Sequence, residues 1–262
     1  IFRTAWQQSH NVSLMGGTEG VRYNASASYF DQDGIVLNSN YKRFQTRMNT
    51  VVRRGKLNMS VTANYARAIQ TGSSTSLYSS SGMNNLFYSV WGYRPVTEPD
   101  VPLSTLMDNA LDSSVEPTND YRFNPIRSLK EEYRKYYINN LQLNGYVAYD
   151  ILKGLKLKIA AGYTSRDYTN EEFNSSMTRT GNSHPSNTQS KGINAYLYKS
   201  EARSYLNENT LTYQFNKNKH NFNALAGLSF QKNTSYIYSI TAEHIAKDSY
   251  GMAGLDKGSS TP

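Results

Sequence analysis

Val21-Arg22-Tyr23-Asn24-Ala25-Ser26-Ala27-Ser28-Tyr29 is the stretch that decides the fold. Its odd positions, Val21, Tyr23, Ala25, Ala27 and Tyr29, are apolar or aromatic, and the residues between them are polar. Successive side chains of a strand point to opposite faces, so a period of two describes a strand with one dry face and one wet face. The same pattern returns at Leu57, Met59, Val61, Ala63 and Tyr65, with Asn58, Ser60, Thr62 and Asn64 interleaved. It recurs from Leu141 to Tyr149, from Leu155 to Tyr163, from Leu211 to Phe215 and from Phe222 to Phe230. The alternation predicts eight strands, at about residues 9–17, 20–31, 42–53, 56–70, 134–150, 155–171, 195–216 and 219–236.

The composition narrows what those strands can belong to. The chain of 262 residues holds 22 Tyr and 9 Phe, yet only 38% of it is hydrophobic and 18% charged. The mean hydropathy is −0.66. A soluble domain of this size carries a larger apolar share for its core. No run approaches the ~18 or more apolar residues that a membrane helix needs. Backbone in lipid must satisfy its own hydrogen bonds, which leaves a closed barrel of strands as the other spanning structure. There is no Cys, which removes a disulfide scaffold and a Cys-ligated zinc site. The net charge of +8 is spread singly along strands and turns, which argues against a nucleic-acid partner.

The connections alternate in length. Gly17-Thr18-Glu19-Gly20, Arg53-Arg54-Gly55-Lys56, Ile151-Leu152-Lys153-Gly154 and Asn216-Lys217-Asn218-Lys219 read as tight hairpin turns. Between them lie long connections at about 31–41, 71–133, 172–194 and 237–262. Short turns at one end and long loops at the other are the asymmetry of an outer-membrane barrel, with the long loops extracellular. Tyr29, Tyr65, Tyr149 and Tyr163 stand where an interfacial girdle belongs; the competing reading is that Tyr is simply a good strand former.

The 71–133 connection is read as a long extracellular loop with three short helices, at Asn84–Gly92, Leu103–Asp112 and Ile126–Arg134. Ser104 is placed to cap the second, and Asn124-Pro125 opens the third. Phe87, Tyr88, Trp91 and Tyr93, with Arg94 beside them, are the candidate ligand contacts, because flat rings with a polar edge suit sugar faces and peptide side chains. Glu98 and Asp100 could add polar contacts. The competing reading of the cluster is that it pins the loop to the barrel wall or to a capping partner. Asp31-Gln32-Asp33-Gly34 resembles the start of a calcium loop but lacks the downstream ligands and bidentate Glu, so it is read as a polar turn. His10, His184, His220 and His244 have no metal-ligand spacing and read as solvated or lumenal residues. No Gly-x-Ser-x-Gly elbow occurs. The sequence therefore predicts no catalytic residues, no cofactor and no metal.

Phe2-Arg3-Thr4-Ala5, Asn11-Val12-Ser13-Leu14-Met15-Gly16-Gly17, Arg22-Tyr23, Tyr29, Asp31-Gln32-Asp33-Gly34-Ile35-Val36, Lys42-Arg43-Phe44, Asn124-Pro125 and Ile151-Leu152-Lys153-Gly154-Leu155-Lys156 carry a resemblance by their order and spacing. Together they resemble the SusC/RagA-like TonB-dependent transporters of Bacteroidetes outer membranes. The resemblance implies a 22-stranded barrel with a plug, a TonB-contacting segment and a SusD-like surface lipoprotein. It also implies uptake of oligosaccharides or peptides. No plug or TonB box is recognisable in residues 1–262, and both ends, at Ile1 and at Gly258-Ser259-Ser260-Thr261-Pro262, read as cut. The expectation is therefore an all-β slice of a larger transmembrane barrel. Two other classes stay open at this point: a non-transporting, Tyr-rich surface protein such as an adhesin, and a soluble carbohydrate-binding sandwich, which requires a two-sheet core.

Overall fold

The computed structural model describes residues 1–72, 86–92, 124–178, 180–182, 191–218 and 220–260. A single antiparallel sheet runs in strict sequence order, each strand pairing with the next. Its strands are β1 (Gln7–Gly17), β2 (Val21–Asp33), β3 (Asn40–Arg54), β4 (Leu57–Thr71), β5 (Glu132–Leu152), β6 (Leu155–Asn174), β7 (Asn194–Lys217), β8 (His220–Glu243) and the two-residue β9 (Ser259–Ser260). All eight predicted strands are present, and β6 and β8 continue past the predicted ends to Asn174 and Glu243. The two-sheet core that a soluble sandwich needs is not found among the described residues. No described helix is long and apolar enough to cross a membrane.

Register turns the alternation into two continuous faces. Partners in a ladder share a face, and Ala25 pairs with Met48, Met48 with Ala63, Ala63 with Leu143 and Leu143 with Tyr163. The apolar set of every strand therefore joins into one surface. On β2, β4, β6 and β8 that surface has equal limits, from Val21 to Tyr29, Leu57 to Tyr65, Leu155 to Tyr163 and Phe222 to Phe230. Each is nine residues long with five outward positions, all apolar or aromatic. At ~3.3 Å per residue such a stretch is roughly 26 Å along the strand, and about nine residues is the length with which a tilted strand crosses a membrane's apolar core.

The band does not follow the hydrogen bonds. From Tyr29 the register leads through Phe44 to Arg67, two residues beyond Tyr65, and on through Glu201 to Tyr236, six beyond Phe230. It slips by one residue per strand. With ~3.3 Å rise and ~4.8 Å between strands, that slip corresponds to a strand tilt of about 35°, within the range of transmembrane barrels. Tyr149 pairs with Leu57 and Leu157 beside the tight turns, so it belongs to the girdle on the turn side, opposite Tyr29, Tyr65 and Tyr163.

Large apolar side chains in the band are bare: Val12 is 72% exposed and Leu228 67%, as befits a wall that lipid covers. The buried cluster lies instead at the loop end, where Phe173, Ala195, Ala242 and Ile245 pack with Tyr250, Met252 and Leu255 of a 3-10 helix (Asp248–Asp256). Three residues depart from the sequence reading of the faces. His10 is not lumenal, since it pairs with Tyr29 on the apolar face at girdle height. Asn207 and Asn209 sit inside the band, where Asn209 Nδ2 donates to Asn207 Oδ1 at 2.6 Å and Asn207 Nδ2 to the Ala160 carbonyl at 3.0 Å. These two bonds pair both Asn207 groups and the Asn209 amide nitrogen, which lowers the cost of facing lipid.

Within the long connection, α1 (Leu86–Gly92) and α2 (Pro125–Glu131) are described, and the predicted helix at 103–112 lies outside the described residues. Asn124 caps α2, accepting from the amides of Ile126 at 3.0 Å and Arg127 at 3.2 Å. The helix stops at Glu131, short of the predicted Arg134, because Glu132 already enters the ladder opposite Asn174.

Candidate functional site

At the loop end, α1 places Phe87 and Trp91 one turn apart, so both fall on one side of the helix. Their rings stack with centroids 6.0 Å apart and 28° between planes. Phe2 extends the array, 6.4 Å from Phe87. Trp91 is 77% exposed and Phe2 60%, so the array offers an open apolar surface. Of the five residues predicted as ligand contacts, the structure brings Phe87 and Trp91 together. Tyr88 lies on the same helix, while Tyr93 and Arg94, like Glu98 and Asp100, lie outside the described residues. Phe2 was not among the predicted contacts. It lies far from Phe87 in the chain, and no periodicity links the two.

Arg3 holds Phe2 in place. Its Nη2 donates to the Ser39 carbonyl at 2.7 Å, its Nε to the Gly34 carbonyl at 3.0 Å, and its guanidinium pairs with Asp33 at 3.2 Å. Phe2 itself forms a bridge to Val36. The same turn reaches the long connection through Asn38, whose left-handed backbone (φ 60) lets Nδ2 donate to the carbonyls of Leu129 at 2.7 Å and Glu132 at 3.2 Å. Asp31 accepts from Asn40 at 2.9 Å and Tyr29 at 3.0 Å, with Lys42 at 3.5 Å, and Asp33 accepts from Asn40 at 3.0 Å. Protein donors occupy both carboxylates, and the expected polar turn is displaced: Asp31, Gln32 and Asp33 end β2 in the ladder with β3, because their backbone pairs with Asn40–Lys42, and the chain turns only after Gly34.

The wall opposite the apolar face carries polar groups along its full height, including Asn24, Thr62, Asn144 and Arg166. Near the loop end Arg134 bridges Glu132 at 3.3 Å and Glu172, while Asn174 donates to Asn194 at 2.9 Å. The sheet is similar in fold to known proteins. Solved structures of the RagAB peptide transporter superpose over 99% of this chain and 28% of theirs, with a TM-score of 0.67 and 21% identity. The RagAB peptide importer in its open-open state gives 0.69 and 20% identity over 99% of this chain and 27% of that one. Among curated proteins, TonB-dependent receptor P26 of Formosa agariphila is 28% identical over 255 residues, which is 96% of this chain and 24% of the relative. TonB-dependent receptor P3 of the same organism is 25% identical over 236 residues, 88% of this chain and 22% of the relative. TonB-dependent receptor SusC of Bacteroides thetaiotaomicron is 45% identical over 49 residues, 19% of this chain and 5% of the relative. No family model matches.

The chain is similar to part of the SusC/RagA-like TonB-dependent transporters. This SusC/RagA-like segment spans about a quarter of the length of the P3 and P26 receptors it matches. It is part of an outer-membrane β-barrel, with its apolar band toward lipid and its polar wall toward the lumen. At its loop end the SusC/RagA-like segment carries the exposed rings of Phe2 and Trp91 with half-buried Phe87 between them.

Proposed function

We propose that the segment forms part of the wall of an outer-membrane importer that takes up oligosaccharides or peptides, is energised through TonB and works with a SusD-like surface lipoprotein. The observation that carries this reading is the sheared nine-residue band, because it assigns the opposite, polar face to the interior of a large barrel. The open aromatic array at the loop end gives a solute or a capping lipoprotein a place to engage. Likeness to TonB-dependent receptors supports the energy source, and likeness to a peptide importer supports import as the task.

Deletion of the gene for the full-length protein tests it. The expected result is loss of growth on one class of oligosaccharide or peptide, reproduced by removing TonB, with the protein in the outer membrane as a heat-modifiable barrel. A protein that fractionates elsewhere, or whose loss alters surface attachment and no uptake, overturns the reading.

A further inference from the structure

The tight turns carry cations directly beneath the apolar band. Arg54 pairs with Leu57, the first residue of the band on β4, and therefore shares its outward face. Lys153 lies in the β5–β6 turn, two positions before Leu155, where the band begins on β6. Lys217 pairs with His220, two positions before Phe222, the first residue of the band on β8. All three are exposed, and among the described residues none of their side chains is in an ion pair or a hydrogen bond. At ~3.3 Å per residue they stand roughly 3–10 Å from the hydrocarbon edge, the depth of a headgroup layer. The turns that carry them are two strands apart, which separates successive cations by roughly 10 Å along the rim.

Acids are scarce at this end. Asp150 is paired with Lys156 at 3.5 Å, and Glu19 lies in the first turn, outside any described ion pair. Lys56, in the same turn as Arg54, donates Nζ to the Ile151 carbonyl at 3.4 Å and adds its charge to the rim. Beyond the loop-side edge of the band the outward charges are mixed instead. There Lys42 pairs with Asp31 at 3.5 Å, Arg203 with Asp167 at 2.6 Å and Lys199 with Glu201 at 2.8 Å, while Arg67 and Lys232 stand unpaired among them. One edge of the band is therefore basic and the other is largely compensated.

A band that spans a membrane has headgroups against both of its edges. We propose that Arg54, Lys153 and Lys217 form a binding rim for the phosphate groups of anionic phospholipids in the leaflet on the turn side. The proposal concerns the outer wall and is independent of which cargo the lumen carries. Exposed cations without a protein partner meet a phosphate at little desolvation cost, and each contributes about a fivefold gain in attachment to an anionic surface. The acyl chains of the same lipids lie along the apolar face that begins at Leu57, Leu155 and Phe222.

The test uses the full-length protein purified from the outer membrane in detergent. Short-chain phosphatidylglycerol, and separately phosphatidylcholine of the same chain length, is titrated in, and native mass spectrometry counts the lipid retained, with heat-modifiable migration reporting folding. The variants are the combined Arg54→Gln, Lys153→Gln and Lys217→Gln and, for the loop side, Arg67→Gln with Lys232→Gln. The expected result is that the parent retains about three more molecules of phosphatidylglycerol than of phosphatidylcholine, one for each cation, and that the triple variant loses this surplus while the loop-side variant keeps it. Inorganic phosphate at equal ionic strength is expected to displace no lipid, because it lacks the chains that hold the headgroup at the rim. Should the triple variant not fold, Lys153→Gln decides alone by losing about one molecule of the surplus. A parent without a preference overturns the proposal, as does an equal surplus in parent and folded variant or a loss confined to the loop-side variant. Displacement by inorganic phosphate also overturns it, since the site would then be one for the free anion.

Discussion

Tyr29 and Tyr163 stand at the same edge of the apolar band, yet the hydrogen-bond register connects Tyr29 to Asp167, four residues beyond Tyr163. Four strand-to-strand steps separate them, so the membrane boundary crosses the sheet obliquely. A flat soluble sheet has no reason to keep this stagger, whereas tilted strands in a planar bilayer must.

The assignment of faces predicts opposite outcomes for two adjacent residues. Val61 is 59% exposed in mid-band, and an arginine there faces hydrocarbon. Val61→Arg is expected to cost about 2–4 kcal/mol in assembly. Thr62 points into the lumen, where Asn49 Nδ2 donates to its hydroxyl at 2.7 Å, so Thr62→Arg is expected to cost only the ~1 kcal/mol of that bond. The heat-modifiable fraction of the full-length protein measures both, and equal losses would reverse the faces.

Two turn glycines are predicted to differ in tolerance. Gly55 (φ 57) has no atom within 4 Å of an added Cβ, so Gly55→Ala bears only the ~1–2 kcal/mol of a left-handed backbone. At Gly154 (φ 84) the added carbon would lie 2.0 Å from the Gln214 carbonyl, and Gly154 also accepts the Gln214 amide at 2.7 Å. Gly154→Ala is expected to lower the folded fraction well below that of Gly55→Ala, read in parallel by urea-induced unfolding in detergent or liposomes.

Asn124→Ala should loosen α2. Loss of a side-chain cap costs about 0.5–2 kcal/mol, and the amides of Ile126 and Arg127 lose their acceptor. Hydrogen exchange is expected to rise at 125–131 and to leave the β4–β5 ladder unchanged. A change confined to the strands would contradict the capping role.

Phe87 and Trp91 separate anchoring from contact. Phe87 touches both Phe2 and Trp91, so Phe87→Ala should raise proteolysis locally at Phe2, while Arg3 keeps its bonds to Gly34, Ser39 and Asp33. The lost ring pairs contribute about 0.5–1.5 kcal/mol each. Trp91, at 77% exposure, supports little, and Trp91→Ala is expected to leave proteolysis unchanged while weakening cargo capture or lipoprotein binding. Increased proteolysis in Trp91→Ala with normal capture would make the cluster a pin only.

Strand count, the two faces, the tight turns and the equal length of the band were legible in the sequence, because parity along a strand is a local property that Val21 to Tyr29 or Leu57 to Tyr65 reveal alone. Local capping likewise placed α2 at Asn124-Pro125, whereas its end at Glu131 depended on where the ladder with β6 claimed the chain. The one-residue slip and the reach of Phe2 to Phe87 were decided only by the tertiary structure. Each depends on which residues of distant strands lie opposite one another. Register is set by the pairing of whole faces across the sheet, and no single stretch of sequence contains it.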